Sequence, residues 1–319
     1  MNWERLTPLS EFEEKFRKRI VITIVICFTP ILGYSLFRIK DIFKFFCTKF
    51  GVFLLTVGFG FLAYAHIEPF FLKFSYKEII VPKKFGSFTV AQISDVHFQW
   101  PYPYVTEKKM KQIVDKVNSL DVDYVFMTGD YISRYRTHSI SSYNVQKVTK
   151  WLSMLKAKKG VYAILGNNDR CAGNMIIDEF QRMGIKLLRN ETVFSEDISI
   201  TGITSCKTID VCHRIMNTLQ KPNSSLNILL SHEPDTASIT HEYFDLQFSG
   251  HTHGGQCVAP LGIGPVLLPS MGRKFPLGLY QVGNMLLYVT NGIGISPLIK
   301  PLVRFNNVAE VAVLHIISE

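Results

Sequence analysis

Five short apolar runs, at 88–93, 122–127, 161–165, 226–230 and 245–248, each hand the chain over to a residue able to hold a metal ion. The first runs into Ser94-Asp95-Val96-His97 and the second into Thr128-Gly129-Asp130. The third runs into Gly166-Asn167-Asn168-Asp169, the fourth into Ser231-His232-Glu233-Pro234, and the fifth into Ser249-Gly250-His251-Thr252-His253-Gly254-Gly255. Apolar runs of this length, separated by helical stretches, read as buried strands. Between them, 105–120 places Ile113, Val114 and Val117 on one face, 144–155 repeats Val145, Val148, Trp151, Leu152 and Leu155, and Asn174 caps a further helix. That alternation makes an α/β fold, whose sites lie at the carboxyl ends of its strands.

Taken singly, each polar residue has a plainer role. Asp130 suits a turn cap, Asn167 a left-handed turn, His232 a satisfied core position, and the His251/His253 pair a solvated loop. Five such residues at the same end of five strands do not fit that account, and the set reads as a two-metal site. Mixed oxygen and imidazole donors suit Mn, Fe or Zn better than Mg alone.

The first quarter of the chain reads differently. Residues 20–37 and 50–67 carry no charge, the first long enough to span a bilayer and the second interrupted by Gly51, Gly58 and Gly60. Between them Arg38, Lys40, Lys44 and Lys49 mix with Ile42, Phe43, Phe45 and Phe46, a basic amphipathic pattern suited to the headgroup region. A membrane anchor is expected over 1–75 and a catalytic unit over 76–319. Lysines and arginines outside the apolar pair outnumber those between, which places the catalytic unit on the cytoplasmic side of the inner membrane. With 47% hydrophobic residues and a net charge of +9, the chain suits a membrane and an anionic partner. Without a Lys/Arg run interleaved with aromatics, phosphate fits better than nucleic acid. The 6 cysteines show no CxxC spacing, so neither a zinc knuckle nor a redox pair is indicated.

The order Asp-x-His, Gly-Asp, Gly-Asn, His, Gly-His-x-His, carried by Asp95/His97, Asp130, Asn167, His232 and His251/His253, resembles the calcineurin-like metallophosphoesterase superfamily. The tail, from Gly254-Gly255-Gln256 through Gly278-Leu279-Tyr280 to Asn291-Gly292-Ile293-Gly294, resembles its membrane-anchored bacterial branch. The resemblance implies a four-layer αββα sandwich holding two divalent ions, one on Asp95, His97, Asp130 and His253, the other on Asp130, Asn167, His232 and His251. It also implies in-line attack on phosphorus by a hydroxide bridging the two ions.

Two positions depart from the pattern. Most of the superfamily has a histidine at the third motif, the presumed proton donor to the leaving group, and a second aspartate three residues after the first at the second motif. Here those positions hold Asn168 and Ser133. An alkoxide leaving group gains about 10²–10⁴-fold from such a donor. A phosphate monoester, with a second pKa near ~6, leaves without one. The expected scissile bond is therefore a phosphoanhydride. Loss of the same histidine is familiar in the UDP-2,3-diacylglucosamine pyrophosphohydrolases of lipid A synthesis, which this chain resembles. The resemblance implies Mn-dependent cleavage of that lipid-linked UDP-sugar to UMP and 2,3-diacylglucosamine 1-phosphate. Asn168, Arg170 and Arg134 are the expected substrate contacts, because guanidinium groups bind diphosphate bidentately. A membrane phosphodiesterase or phosphatase of other or broad specificity is the alternative.

Overall fold

The computed structural model describes residues 44, 46–99, 104–133, 141–259, 265, 268–296 and 303–319. The first apolar segment, 20–37, and Arg134 lie outside the described residues. So does most of the Gly/Pro-rich apolar stretch after Val258.

A first sheet has six strands in the order β1 (Leu72–Val81), β12 (Ala309–Ser318), β2 (Phe88–Ile93), β3 (Tyr124–Met127), β4 (Gly160–Ala163) and β5 (Lys186–Leu187). The neighbours β2, β3, β4 and β5 are parallel, and β12 runs antiparallel to β2. A second six-stranded sheet has the order β10 (Gly278–Val282), β11 (Met285–Val289), β9 (Leu246–Ser249), β8 (Leu226–Leu230), β7 (Ile198–Gly202) and β6 (Glu191–Ser195). Its centre, β11-β9-β8-β7, is parallel.

Strand alternation sorts the apolar side chains into three layers of core. Phe88, Val90, Tyr124 and Phe126 of the first sheet meet Leu226, Ile228, Leu246 and Phe248 of the second. The rings of Phe126 and Phe248 meet edge to face at 5.1 Å across that interface. The residues between them in sequence point the other way. Ala91, Ile93, Val125 and Met127 pack under α2 (Glu107–Ser119), α3 (Ser142–Leu152) and α4 (Asn174–Arg182). On the far side, Leu229, Leu287 and Val289 pack under α5 (Ile209–Met216) and α6 (Ala237–Thr240). Three cores between four layers make the αββα sandwich, and each fully buried Val, Ile, Leu or Phe stabilises it by about 1.5–3 kcal/mol.

The expected elements recur with shifted ends. Helix α4 is capped by Gly173, at φ 56°, and Asn174 is its first residue rather than its cap. The third strand stops at Ala163, although Ile164 N–H still donates to Met127 O of β3 and its side chain stays in the inter-sheet core. Helix α5 buries Cys212 and Met216 against the second sheet and so belongs to the outer layer.

Before β1 stands α1 (Lys49–Ile67), where the second apolar segment was expected. Its buried residues are Gly51 and Ala65, while Phe59 is 73% and Leu62 63% exposed. Over Lys49–Phe70 it is long and apolar enough to cross a membrane, the one such helix among the described residues.

Candidate metal centre

Strands β2, β3 and β4 of one sheet and β8 and β9 of the other end at the same edge of the sandwich, and the loops leaving them interlock. Asp95, His97 and Phe98 donate their N–H groups to Gly129, Asp130 and Tyr131 O at 2.9, 3.0 and 2.8 Å. Gly250 N donates to His232 O at 3.1 Å. Asp169, fully buried, staples two loops: it accepts from the N–H of Asp130, Tyr131, Ile132 and Gly166 at 2.7, 2.9, 3.3 and 2.9 Å. Burial and the adjoining Asp130 charge push the Asp169 carboxyl up to about 7, against the pull of those N–H groups. The packing tolerates no side chain at Gly166, where a Cβ would stand 2.2 Å from Asp130 Oδ1.

Five of the expected ligands have left-handed backbone: Asp95 (φ 51°), His97 (49°), Asp130 (57°), His251 (71°) and His253 (50°). Asp and His tolerate this region better than most residues, and a non-glycine residue there still costs about 1–3 kcal/mol. Such outliers gather where function holds them, and here they turn the side chains inward from the strand ends.

The side chains converge. His97 Nε2 lies 3.0 Å from His253 Nε2, and Asp95 Oδ1 lies 3.3 Å from His253 Nε2 and 4.0 Å from His97 Nε2. Asp130 Oδ2 stands between the two halves, 3.5 Å from His97 Nε2 and 3.4 Å from His232 Nε2. Asn167 Oδ1 is 3.1 Å from His232 Nε2, and the His251 ring is 4.9 Å from the His232 ring. The expected ligands are therefore brought together, in groups whose donor atoms lie within 4.8 Å of one another for Asp95/His97/His253, for Asp95/Asp130/His232, and for His232/Glu233/His251. Glu233 has other work. Its carboxylate accepts from Ser205 Oγ and from Cys206 N, which ties that neighbouring loop to the β8 end.

The donor set fits divalent ions. Asp95 and Asp130 are buried, and among the described residues their ion pairs are with histidines, so a cation there would supply the missing charge. Second partners select the free nitrogen of each imidazole. His232 Nδ1–H donates to Thr128 O and His251 Nε2–H to Ser270 O, both at 2.8 Å, leaving Nε2 of the first and Nδ1 of the second as lone pairs. His97 Nδ1 faces Ser133 Oγ at 3.1 Å, leaving its Nε2 inward. Burial pushes His97 below its ordinary pKa against the pull of Asp130 and Asp95, and pushes His253 well below, helped by His97. Both are thus neutral, as ligands must be. Burial also pushes His232 down, but the Asp130 carboxylate outweighs it and raises His232 well above 6.5, so an ion taking its Nε2 must displace a proton from it. Reciprocally, His232 holds Asp130 far below the ordinary carboxylate range in spite of its burial.

The expected substrate contacts lie differently. Asn168 is buried, and its Nδ2 donates to Asp130 Oδ2 at 2.5 Å while its backbone N–H donates to Asp130 Oδ1 at 2.8 Å. Arg170 is exposed and donates from Nη2 to Ser205 O. Several supporting residues escaped the sequence reading, namely Asp169, Glu233, Asn307 and Arg304. Asp169 alone had a local signal, as the acid closing the Gly-Asn motif.

A family model described as calcineurin-like phosphoesterase matches residues 88–255. The chain is 32% identical over 254 residues to an uncharacterized metallophosphoesterase, YkuE, of Bacillus subtilis (strain 168), covering 76% of this chain and 86% of the relative. It is 27% identical over 296 residues to the UDP-2,3-diacylglucosamine pyrophosphatase LpxG of Chlamydia muridarum (strain MoPn / Nigg), covering 72% of this chain and 85% of that protein. It is 25% identical over 252 residues to the phosphodiesterase YaeI of Escherichia coli (strain K12), covering 74% and 86%.

Proposed function

The chain belongs to the calcineurin-like phosphoesterase family, a family of metal-dependent hydrolases, and from that premise we propose that it cleaves the pyrophosphate of a membrane-borne nucleoside diphosphate lipid, UDP-2,3-diacylglucosamine, to UMP and the lipid 1-phosphate. The ion pair would sit on Asp95, His97, Asp130 and His253 and on Asp130, Asn167, His232 and His251, with Mn as the preferred metal. When bound, the ions supply positive charge to the phosphoryl oxygens and lower the pKa of water.

The carrying observation is what stands where a proton donor would be. Asn168 has no proton to give a leaving group at neutral pH, and its amide is turned onto Asp130 Oδ2. Ser133 is turned onto His97 Nδ1 and Ser133 Oγ also reaches His97 O at 3.3 Å, so neither residue reconstitutes an acid pair. A site built this way suits a leaving group that departs as an anion, and a nucleoside monophosphate does. The exposed apolar α1 and the activity for which the Chlamydia muridarum relative is named support a lipid-linked substrate at a membrane, here proposed to be the inner one. Arg170, with the rest of its guanidinium free of protein partners in the described region, is proposed to meet the diphosphate together with Arg134.

The test is incubation of the detergent-solubilised full chain and Mn²⁺ with UDP-2,3-diacylglucosamine, with products followed by mass spectrometry. UMP release is expected. Intact substrate beside rapid cleavage of an aryl phosphodiester would favour the second reading, a membrane phosphodiesterase; the Escherichia coli relative is named a phosphodiesterase.

A further inference from the structure

Three hydrogen-bonded routes leave the C-terminal end of α1: two arrive at the backbone of the same half of the ligand cluster, at His253 and Asp95, and the third ends close by, at Ile293. Glu68, fully buried, accepts the N–H of Asn306 at 2.8 Å and of Asn307 at 2.5 Å, and Asn307 Nδ2 donates to His253 O at 2.7 Å. Ala65 O accepts from Arg304 N at 3.1 Å. The Arg304 guanidinium, itself fully buried, donates to the carbonyls of Asn291, Gly292 and Gly294 at 2.8, 3.2 and 2.6 Å, and Gly294 N donates to Asp95 O at 2.7 Å. Pro69 O accepts from Lys109 Nζ at 2.9 Å, and the same ammonium reaches Ile293 O at 3.3 Å.

The other half is held from elsewhere. Thr128 O fixes His232, and Ser270 O fixes His251 on a loop stapled by Asp235, which accepts from the N–H of Arg273 and Lys274 at 3.1 Å each. Among the described residues no hydrogen bond runs directly from Ala65, Glu68 or Pro69 to that half. The asymmetry is the point. A stalk that merely tethered a hydrolase would have no reason to end in buried charges one residue away from a ligand backbone, since burying Glu68, Lys109 and Arg304 is costly unless their bonds fix a geometry.

Resting on the metal-site reading above, we propose that Glu68 and Asn307 are positioning residues for the Asp95/His253 half of the site, so that the end of the apolar helix is part of the frame holding one of the two ions. Glu68 fixes the Asn307 backbone, and Asn307 fixes the His253 carbonyl, which sets where the imidazole stands. Partners bonded directly to a ligand change metal affinity by about 10–100-fold when lost, which sets the upper end of the effect expected through this backbone route.

The experiment is calorimetric titration of Mn²⁺ into the metal-stripped full chain in detergent, with thermal unfolding of each variant. Wild type binds two ions; a failure to do so would overturn the site reading rather than this proposal. Glu68→Gln turns one acceptor into a donor facing an N–H, and Asn307→Asp turns the donor to His253 O into an oxygen. Each is expected to weaken one ion, by up to about 10–100-fold, and spare the other. Asp235→Asn is expected to weaken the ion that Glu68→Gln spares, so the double variant weakens both. Equal weakening of both ions by Glu68→Gln, or a lowered Tm with both affinities intact, overturns the proposal. Asn307→Asp keeps it testable should Glu68→Gln not fold.

Discussion

Replacing Gly250 by alanine tests how tightly the loops fit the site. A Cβ at Gly250 would stand 2.0 Å from Ser94 Oγ and 2.3 Å from Asp95 Oδ2, where ordinary contact begins at 3.4 Å. Asp95 cannot retreat freely. Ser94 Oγ donates to its Oδ2 at 2.7 Å, and His251 N donates to both oxygens at 3.2 and 2.9 Å. Relief therefore requires the carboxylate, or the strand end carrying His251, to move by about 1 Å, and a displacement of that size costs about 10²-fold in rate. The forced overpacking destabilises the fold by about 1–3 kcal/mol. The assay is kcat/KM on an aryl phosphodiester with Mn²⁺, beside thermal unfolding of the metal-free protein. Gly86→Ala is the control, because no atom lies within 4 Å of the added methyl, and it should stay within about 0.5 kcal/mol of wild type. If Gly250→Ala kept its rate within about 3-fold, the inference that this glycine makes room for Asp95 would be wrong.

Ser133→Ala removes the Nδ1 partner of His97 and should weaken metal binding by about 10–100-fold, read by calorimetry, whereas Ser133→Thr should keep most of it. Asn168→His should speed cleavage of alkyl phosphodiesters, by no more than about 10²–10⁴-fold, and leave pyrophosphate cleavage nearly unchanged; equal gains on both would contradict the leaving-group argument. Lys109 is held down to about 7 by burial, then by Arg304, from 10.5. Since its folded pKa lies below its unfolded one, the unfolded chain binds more protons between those values, and stability should rise as pH climbs from about 7 toward 10.5. Lys109→Met should flatten that slope in Tm measured against pH. Mn²⁺ at 100 times its Kd should stabilise the fold by about 2.7 kcal/mol per site, and a chelator should remove that gain.

The cluster of candidate ligands was legible because their chemistry and their place are both local. A strand, a glycine and a polar residue follow each other at Gly129-Asp130, Gly166-Asn167 and Gly250-His251, and the order of these groups carries the family's pattern. The frame behind them was not legible. Glu68 reaches Asn307 across 239 positions and touches only its backbone N–H, so no side-chain pattern in either stretch betrays the pair. Arg304 likewise binds carbonyls, which every residue has. Ser133 was visible only as a missing aspartate, and its bond to His97 depends on how the β2 and β3 loops lie side by side. Strand ends were misjudged where apolar residues continue past the ladder, as at Ile164, because burial and pairing stop at different places.

The left-handed turns at Asp95, His97, Asp130, His251 and His253 give the site a memory independent of its cargo. A ligand on ordinary extended backbone can relax outward when its ion leaves, and the pocket must be rebuilt at each reloading. Here the backbone has already chosen its single tolerable twist, and the sandwich has committed to it during folding. A site framed this way asks little backbone reorganisation of an incoming ion, and the choice among ions falls to donor type and to a geometry that the protein sets.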